Sequence, residues 1–389
     1  MQQLACFAIV APGLESLALA EARALGLPAE LEPRGGGISW QGDLRSVLLA
    51  NGGLRIASRV VVRLARFEAR SFPELERHAR QIPWTRIVGP TGAARFRVTC
   101  KKSRLYHSDA VAQRLADALM RAVPGARIAG GGRPEEEDAV EGRDEDGQLF
   151  VVRLLRDECT VSADASGALL HRRGYRQATA KAPLRETLAA ALVAASGWDG
   201  ASPLVDPLCG SGTIPIEAAL RAAGIPPGMH RPFAAERWPG VSRTIGERVR
   251  AELMEVAARA RSAVMPPIAG SDRDEGAVTA ARANAERAGV SSETAFSVRA
   301  LSDAAFATGE RGWVVTNPPY GVRVGEAARV RDLWAQLGHV LRARAPGWRV
   351  ALLSPEPALE RQLRIPLRVA AQTSNGGIPV RLVVGEVAR

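Results

Sequence analysis

The sequence has 389 residues, a length that suggests two or three domains at the usual size of roughly 100–200 residues each. Its hydrophobic (46%) and charged (24%) fractions are those of ordinary globular proteins, which excludes disordered, collagenous and coiled-coil chains. The formal net charge is +11, and of the basic residues only Lys101, Lys102 and Lys181 are lysines. Such a charge favours a polyanionic partner, above all a nucleic acid, although solubility alone would also account for it.

The first part of the chain alternates short strands and helices. A strand over 4–10, a helix over 14–25, a helix over 44–49 and the β-rich Val60–Val62 predict two short β–α–β units. Further strands are predicted at 96–100, 149–155 and 158–163, and a helix at 108–123. Residues 131–148 are rich in Gly, Glu and Asp, which predicts a solvated loop or hairpin.

From residue 200 onward, strands, glycine-rich turns and helices alternate regularly. Strands are predicted at 203–206, 267–272, 312–316 and 350–354, and helices at 187–195, 214–223 and 277–288. This pattern is typical of an α/β domain with a mostly parallel, doubly wound sheet. The predicted division is an N-terminal region over 1–165, a linker over 166–180 and a C-terminal domain over 181–389.

The sequence gives no sign of export, membrane insertion or metal binding. The four cysteines form no CxxC pair, so neither a zinc site nor a disulfide framework is expected, and a reducing compartment fits. The N-terminus has no basic segment and its apolar stretch ends at Pro12-Gly13, which argues against a signal peptide. No apolar run approaches the ~20 residues of a membrane helix, and the histidines lack metal-site spacing. We therefore expect a cytoplasmic protein without a metal or membrane partner.

The segment Asp206–Thr213 (DPLCGSGT) lies between a short apolar strand and a predicted helix. Glycine at 210 and 212 lets the backbone turn sharply and approach a ligand closely. The helix N-terminus that follows presents unpaired N–H groups, which suit a carboxylate. The segment is neither GxGxxG nor a phosphate-binding loop, so it disfavours dinucleotides and nucleoside triphosphates. Cys209 is expected to be a small structural residue rather than a nucleophile, because it lies inside the turn.

An acidic residue, Asp272, ends the next apolar strand. A carboxylate at the tip of the second strand of such a unit can accept hydrogen bonds from ribose hydroxyls. The stretch from Gly212 to Asp272 exceeds the usual single-helix connection, so an insertion is expected at about 224–265.

The second motif, Asn317–Gly321 (NPPYG), follows an apolar strand. Two consecutive prolines end the strand and stiffen the loop, because each fixes φ and removes a backbone donor. The Asn317 side-chain oxygen and the Pro318 carbonyl can then accept both hydrogens of an exocyclic amino group, and Tyr320 offers a face for a flat base. We expect this loop to share one cleft with the glycine turn at 210.

Taken together, these motifs resemble those of THUMP-domain, S-adenosylmethionine-dependent RNA guanine-N2 methyltransferases, especially those acting on bacterial 23S rRNA. The likeness extends over most of the chain. Besides the two motifs it includes Pro12–Glu15, Leu105–Ser108, His171–Arg176, Ala182–Glu186 and Asn375–Gly377. Each short match is weak alone, and the assignment rests on their order and span.

The resemblance implies an α+β region, made of a ferredoxin-like subdomain and an RNA-binding THUMP module, before a Rossmann-like methyltransferase domain. It implies methyl transfer from S-adenosylmethionine, with S-adenosylhomocysteine as product, to the N2 amino group of a guanine in structured RNA. Asn317, Pro318 and Tyr320 would hold that guanine. The expected cofactor-binding residues are Asp206, Pro207, Cys209, Gly210, Gly212, Thr213, Asp272 and Asp303. Asp303 is included because Ala300 stands where the family has an acid that contacts adenine; the backbone is the alternative contact.

Two groups of basic residues are expected to bind RNA. Lys101, Lys102 and Arg104 follow a predicted strand and would contact phosphates. Arg172, Arg173 and Arg176 lie at the domain boundary, where ion pairs between domains are the alternative role.

Several other functions stay open at this point. Transfer RNA is the second choice of substrate after ribosomal RNA. Amino methylation of DNA adenine or of protein glutamine can use the same Asn-Pro-Pro-Tyr loop, although the basic N-terminal half counts against both. The chain could also be an RNA-binding assembly factor that has lost activity, and measuring S-adenosylmethionine binding would decide this.

Overall fold

The computed structural model describes residues 3–33, 35–130, 147–177, 184–261, 264–307, 311–320 and 327–389, which form two β-sheets with helices packed against them. The first sheet contains β1 (Leu4–Ile9), β2 (Glu30–Leu31), β3 (Gly37–Gly42), β4 (Arg59–Glu68), β5 (Ala93–Lys101), β6 (Arg127–Ile128), β7 (Gln148–Leu155) and β8 (Glu158–Asp164). Its helices are α1 (Glu15–Ala24), α2 (Leu44–Gly53), α3 (Phe72–Ala79) and α4 (Ser108–Ala122), with a 3₁₀ turn at Trp84–Arg86. The loop predicted at 131–148 lies outside the described residues except for its last two.

The strand order of the first sheet is β2–β3–β1–β4–β8–β7–β5–β6. β1 pairs antiparallel with both β3 and β4, so the two predicted β–α–β units form an antiparallel ferredoxin-like arrangement. Along β1, Cys6 and Ala8 are buried while their neighbours are partly exposed, as expected for a strand with one face on the core. β5 and β7 run parallel, and β7 forms a hairpin with β8.

The second sheet begins at β9 (Leu204–Asp206) and continues with β10 (Ile268–Asp272), β11 (Thr294–Val298), β12 (Trp313–Thr316), β13 (Arg349–Ser354), β14 (Leu367–Asn375) and β15 (Ile378–Glu386). Its helices are α5 (Glu186–Ala195), α6 (Thr213–Ala222), α7 (Arg243–Ala260), α8 (Glu275–Arg287), α9 (Ala327–Arg344) and α10 (Pro357–Gln362), with 3₁₀ turns at Ala234–Arg237 and Leu301–Asp303. No helix within the described ranges combines the length and hydropathy needed to cross a membrane.

The order β11–β10–β9–β12–β13–β15–β14 confirms the mostly parallel α/β sheet. Strands β9 to β13 are parallel, and β14 runs in the same direction, so within the described sheet only β15, which lies between β13 and β14, is antiparallel to the others. Val314 and Val315, consecutive on β12, enter different apolar clusters, so both faces of the sheet are covered. Because β10, β9 and β12 are parallel neighbours, their carboxyl ends meet at one edge, where such sheets bind ligands.

The insertion between α6 and β10 packs against the first sheet's domain. The Gly228 N–H donates to the Gly52 carbonyl (3.0 Å), and the Trp238 indole donates to Gln148 Oε1 (2.7 Å). Leu253 on α7 lies close against Gly52 and Gly53 at the end of α2. A single apolar cluster includes residues of both halves, so the insertion fastens the two sheets together.

A second contact between the halves predicts a measurable loss of stability. Gly13 has φ +84°, and a Cβ there would overlap the Gln372 carbonyl oxygen of β14. We expect Gly13→Ala to lower the free energy of unfolding by roughly 2–4 kcal/mol, measured by urea denaturation. Gly26→Ala is the matched control, because Gly26 has φ +76° but no atom within 4 Å of such a Cβ. It should cost only about 1 kcal/mol, and equal losses would contradict the proposed contact.

Candidate functional site

A cavity of ≈ 1790 Å³ opens at the carboxyl ends of β9, β10 and β12. Of the residues predicted to hold the cofactor or the guanine, those that line it are Asp206, Pro207, Cys209, Gly210, Thr213, Asp272, Asn317, Pro318 and Tyr320. The glycine turn and the Asn-Pro-Pro-Tyr loop therefore share one cleft on the same edge of the sheet. Gly212 and Asp303 are not among the lining residues.

A side-chain hydrogen bond joins the two motifs directly. The Thr316 hydroxyl donates to Asp206 Oδ1 (2.6 Å), which also accepts the Leu208 N–H (3.1 Å). Thr316 immediately precedes Asn317, and β9 and β12 are adjacent strands. The orientation of Asp206 and the start of the Asn317 loop are thus set by the same contact.

Asp206 is only 2% exposed, and burial raises the pKa of its carboxyl group to about 7. The negative charge of Asp272 raises this pKa further, while hydrogen bonds from Thr316 and Leu208 lower it in part. Within the described residues, no cation forms an ion pair with Asp206. A cationic ligand group in the cavity would favour the charged carboxylate and be held by it.

The two glycines of the turn have different roles. A Cβ on Gly210 (φ +51°) would meet no atom within 4 Å, so its backbone borders open cavity. A Cβ on Gly212 (φ +81°) would lie 2.9 Å from Ala281 Cβ and 3.0 Å from the Phe296 ring. Gly212 therefore permits close packing of α6 on α8 and β11, rather than the predicted approach to a ligand.

This difference predicts different effects for a matched pair of variants. Gly212→Ala should lower the free energy of unfolding by roughly 2–4 kcal/mol, because strain and overlap add. Gly210→Ala should cost about 1 kcal/mol from strain alone, but its methyl group would enter the cavity and weaken ligand binding. Urea denaturation and calorimetry with S-adenosylmethionine measure the two effects, and similar profiles for both variants would contradict this assignment.

Asp272 lies at the end of β10, on the cavity wall, and is fixed by backbone donors. Its Oδ2 accepts the Gly210 N–H (3.0 Å) and its Oδ1 accepts the Asp274 N–H (3.0 Å). Each carboxylate oxygen has a further lone pair available for a hydroxyl donor. The carboxylate also stabilises the glycine turn, a role that the sequence did not indicate.

The Asn317 loop presents an unsatisfied acceptor. Asn317 Oδ1 is buried and has no hydrogen-bond partner within the described part of the chain. Nearby, Asn375 at the end of β14 donates to the Tyr320 hydroxyl (2.7 Å), and the Trp334 indole on α9 donates to the Pro319 carbonyl (3.2 Å). These bonds hold the loop while Asn317 Oδ1 is left for a donor from a ligand, since a buried acceptor without a partner is unfavourable.

Comparison with known proteins identifies the family. Residues 173–382 match the "RMKL-like, methyltransferase domain" family, and residues 5–61 match the "RlmL ferredoxin-like domain" family. The chain belongs to the RMKL-like methyltransferase family.

Two curated relatives of this RMKL-like methyltransferase cover nearly all of the chain. One, from Synechocystis, is named "Putative RNA methyltransferase" and is 32% identical over 98% of the chain and 96% of its own length. The other, ribosomal RNA large subunit methyltransferase K/L from Syntrophotalea carbinolica, is 35% identical over 98% of the chain. The chain spans 53% of the length of that second relative.

Solved structures show the same architecture. A Listeria monocytogenes protein, described as a predicted N6-adenine-specific DNA methylase, matches with a TM-score of 0.82 and 30% identity over 100% of the chain and 96% of its own. SMU.472, described as a putative methyltransferase complexed with SAH, matches with a TM-score of 0.82 and 29% identity over 100% and 99%. The family and the α/β fold inferred from the sequence are confirmed.

One of the residues predicted to contact the cofactor lies outside the cavity of this methyltransferase. Asp303 is exposed in the 3₁₀ turn after β11 and does not line the cavity. Arg299, Ala300 and Leu301 line the cavity at that point instead. The chain turns directly after β11, which carries Asp303 beyond the cavity wall.

Of the basic residues at the predicted linker, Arg173 does not fit an RNA contact. It is 6% exposed, lies 3.4 Å from Glu217 Oε1, and donates to the carbonyls of Leu170 and Arg55. These bonds connect the linker to α6 and to the first domain. Arg176 lines the cavity and pairs with Glu186 (3.1 Å), and Arg172 also lines it. Lys101, the last residue of β5, and Lys102 and Arg104, which follow it, are exposed.

Among the titratable cavity residues that the sequence did not assign to it, His171 and Glu186 are buried. Burial raises the pKa of Glu186 to about 7, and burial together with nearby arginines lowers the pKa of His171 to about 3. Both lie in segments that carry the family resemblance, which was the available signal. Among the described residues no His, Cys, Asp and Glu cluster could hold a metal ion.

Cys209 lines the cavity but is unsuited to nucleophilic chemistry. Burial raises the pKa of its thiol far above the usual range, and the carboxylates of Asp206 and Asp272 raise it further. The thiolate is therefore scarce at neutral pH, in line with the structural role expected from the sequence.

Proposed function

We propose that this chain transfers the methyl group of S-adenosylmethionine to the exocyclic N2 amino group of a guanine in structured RNA, with 23S ribosomal RNA as the substrate. The observation that carries the proposal is Asn317 Oδ1, a buried acceptor without a partner on the wall of a cavity that it shares with the glycine turn. The names of the two curated relatives support RNA as the substrate class.

The residues at the β9 end of the cavity suit S-adenosylmethionine. The open side of Gly210 permits close approach of a ligand, and the buried carboxyl group of Asp206 suits a cationic amino group. Asp272, at the tip of β10, would accept the ribose hydroxyls. The cofactor, when bound, supplies an electrophilic methyl group on a positively charged sulfur. The relative solved with SAH supports this assignment.

The residues at the β12 end would hold the target base. Asn317 Oδ1 and the Pro318 carbonyl accept the two hydrogens of the amino group, and the Tyr320 ring stacks on the base. The bond from Asn375 to the Tyr320 hydroxyl sets the orientation of that ring. Stacking contributes on the order of 1–3 kcal/mol per base, which helps to retain a base that has left its helix.

The chemistry then needs positioning and charge stabilisation rather than a strong base. The guanine N2 lone pair is delocalised into the ring, and two carbonyl-type acceptors favour the pyramidal nitrogen and the positive charge that develops on it. The nitrogen forms a bond to the methyl carbon as the carbon–sulfur bond breaks, and the nitrogen afterwards loses one proton to water. Alignment of nitrogen, methyl carbon and sulfur can contribute roughly 7–11 kcal/mol.

The test is methyl transfer by the purified chain, followed by mass spectrometry of the digested nucleosides. Ribosomal RNA from cells lacking the gene, transfer RNA and genomic DNA serve as parallel substrates. The proposal requires N2-methylguanosine in the ribosomal RNA. N2-methylguanosine in transfer RNA alone would mean that the substrate is transfer RNA and not ribosomal RNA. N6-methyladenine in DNA would contradict the proposal and match the description of the Listeria relative.

If the purified chain does not bind S-adenosylmethionine in calorimetry, the alternative of an RNA-binding assembly factor without activity is favoured.

A further inference from the structure

An exposed pair of aromatic rings lies on the first domain, away from the cavity. Tyr106 is 69% exposed and is the only aromatic residue among the exposed large apolar side chains of the described chain. Its ring centroid lies 4.0 Å from that of His107, with the planes tilted by 41°. Neither residue lines the cavity, and His107 makes no side-chain capping bond to α4. We call these two residues the aromatic platform.

The loop that carries the platform is held in a fixed conformation by the β7–β8 turn. Asp157 Oδ1 accepts the Arg104 N–H (2.7 Å), and the Ser103 hydroxyl oxygen accepts the Asp157 N–H (3.1 Å). Lys102, Arg156 and Asp157 all adopt positive φ (52°, 52° and 64°), which non-glycine residues rarely do. Two strained turns thus brace each other, and the platform is presented to solvent by an ordered backbone.

Four cations lie on the two turns next to the platform, and the exposed acid Asp109 follows it in α4. Lys101, Lys102, Arg104 and Arg156 are all exposed, and the Arg156 N–H donates to the Lys101 carbonyl (3.2 Å), which brings the two turns together. Within the described ranges, none of these four side chains forms an ion pair. Exposed aromatic faces flanked by cations are the combination by which proteins bind single-stranded nucleic acid.

We propose that the aromatic platform stacks on an unpaired base of the RNA substrate, while the four cations hold the adjoining phosphates. This inference rests on the proposed function for the identity of the polymer. A base inside a helix offers no free face, so the platform would select RNA with an unpaired nucleotide at a distance from the methylated guanine. The platform is a second contact on the RNA, separate from the cavity.

The test measures binding of the full chain to fluorescein-labelled RNA by anisotropy. The probes are a single-stranded oligoadenylate and a blunt-ended duplex of matched charge. Tyr106→Ala should weaken binding of the single strand roughly 5- to 150-fold and leave duplex binding unchanged. Tyr106→Phe should bind like the wild type because it keeps the ring. Leu31→Ala, which removes another exposed apolar side chain (47% exposed) on β2, is the matched control and should change nothing.

Removing one of the four cations should instead change the salt dependence of binding. Lys102→Gln should weaken both probes and reduce the slope of log affinity against log salt by about one.

If the wild type and Tyr106→Ala bind the single strand with equal affinity, the proposed stacking role is wrong. It is also wrong if Tyr106→Ala loses the same affinity for both probes. If methyl transfer to guanine is intact in that case, only this inference fails. If Tyr106→Ala loses single-strand binding but the wild-type chain transfers no methyl group to RNA, the proposed function fails and the platform stands.

Discussion

Replacing Asn317 by alanine is expected to lower the turnover number for methyl transfer roughly 10²–10³-fold, the usual loss when one preorganised hydrogen-bonding group is removed from a reacting centre. The affinity for S-adenosylmethionine should change little, because Asp206, Gly210 and Asp272 lie on the other strands of the cavity. Stability should not fall much, because Asn317 Oδ1 has no partner to lose within the described chain. Single-turnover kinetics, calorimetry and thermal unfolding measure the three quantities.

The control for this variant is Asn317→Asp, which keeps an acceptor oxygen at the same position and should retain more activity than alanine. Parallel loss of turnover and cofactor affinity in Asn317→Ala would mean that the loop belongs to the cofactor site. Retention of full activity would remove the basis of the proposed function.

Asp206→Asn is expected to have opposite effects on binding and stability. The carboxyl group has a pKa of about 7 in the folded chain against an ordinary value of 3.8, so folding is opposed once the unfolded chain has lost this proton. The stability that this group contributes is fully present below about pH 4 and is lost as pH rises to about 7. At pH 8 the cost is on the order of 4 kcal/mol, since each pKa unit corresponds to about 1.4 kcal/mol.

The variant lacks this cost, so its unfolding temperature without ligand should exceed that of the wild type by several degrees at pH 8 and by little at pH 4. Its affinity for S-adenosylmethionine should fall at least ~10-fold, because the amide provides no negative charge for the amino group. Glu186, whose pKa is also raised to about 7, is present in both proteins, so the difference between them isolates Asp206. A variant that is less stable than the wild type at pH 8 would contradict the burial argument.

Where sequence reasoning succeeded, the signal was local. Glycine and proline at Gly210, Gly212, Pro318 and Pro319 mark the ends of buried strands, and alternating strands and helices predict the parallel order. The β14–β15 hairpin was not predicted, because most of β14 is exposed and lacks an apolar run. The proline-stiffened loop and the glycine turn were expected to share one cleft, and they do.

The features that the sequence could not predict depend on contacts between residues far apart in the chain. Arg173 had two possible roles, an RNA contact or an ion pair, and the sequence could not decide between them because its partner Glu217 lies 44 residues away and is brought near only when α6 packs on the linker. The bond from Thr316 to Asp206 spans 110 residues and depends on the adjacency of β9 and β12. The position of Asp303 outside the cavity could not be foreseen, because the direction of the chain after β11 cannot be read from composition.

The insertion that fastens the two sheets also bears on which RNA can contact both domains at once. Leu253 of α7 packs against Gly52 and Gly53 of α2, and Trp238 bonds to Gln148, so the insertion holds the domain that carries Tyr106 against the domain that carries Asn317. An RNA that contacts both positions must span the distance between them. If the proposed function and the aromatic platform both hold, the number of base pairs between the unpaired nucleotide and the methylated base would help to select the substrate.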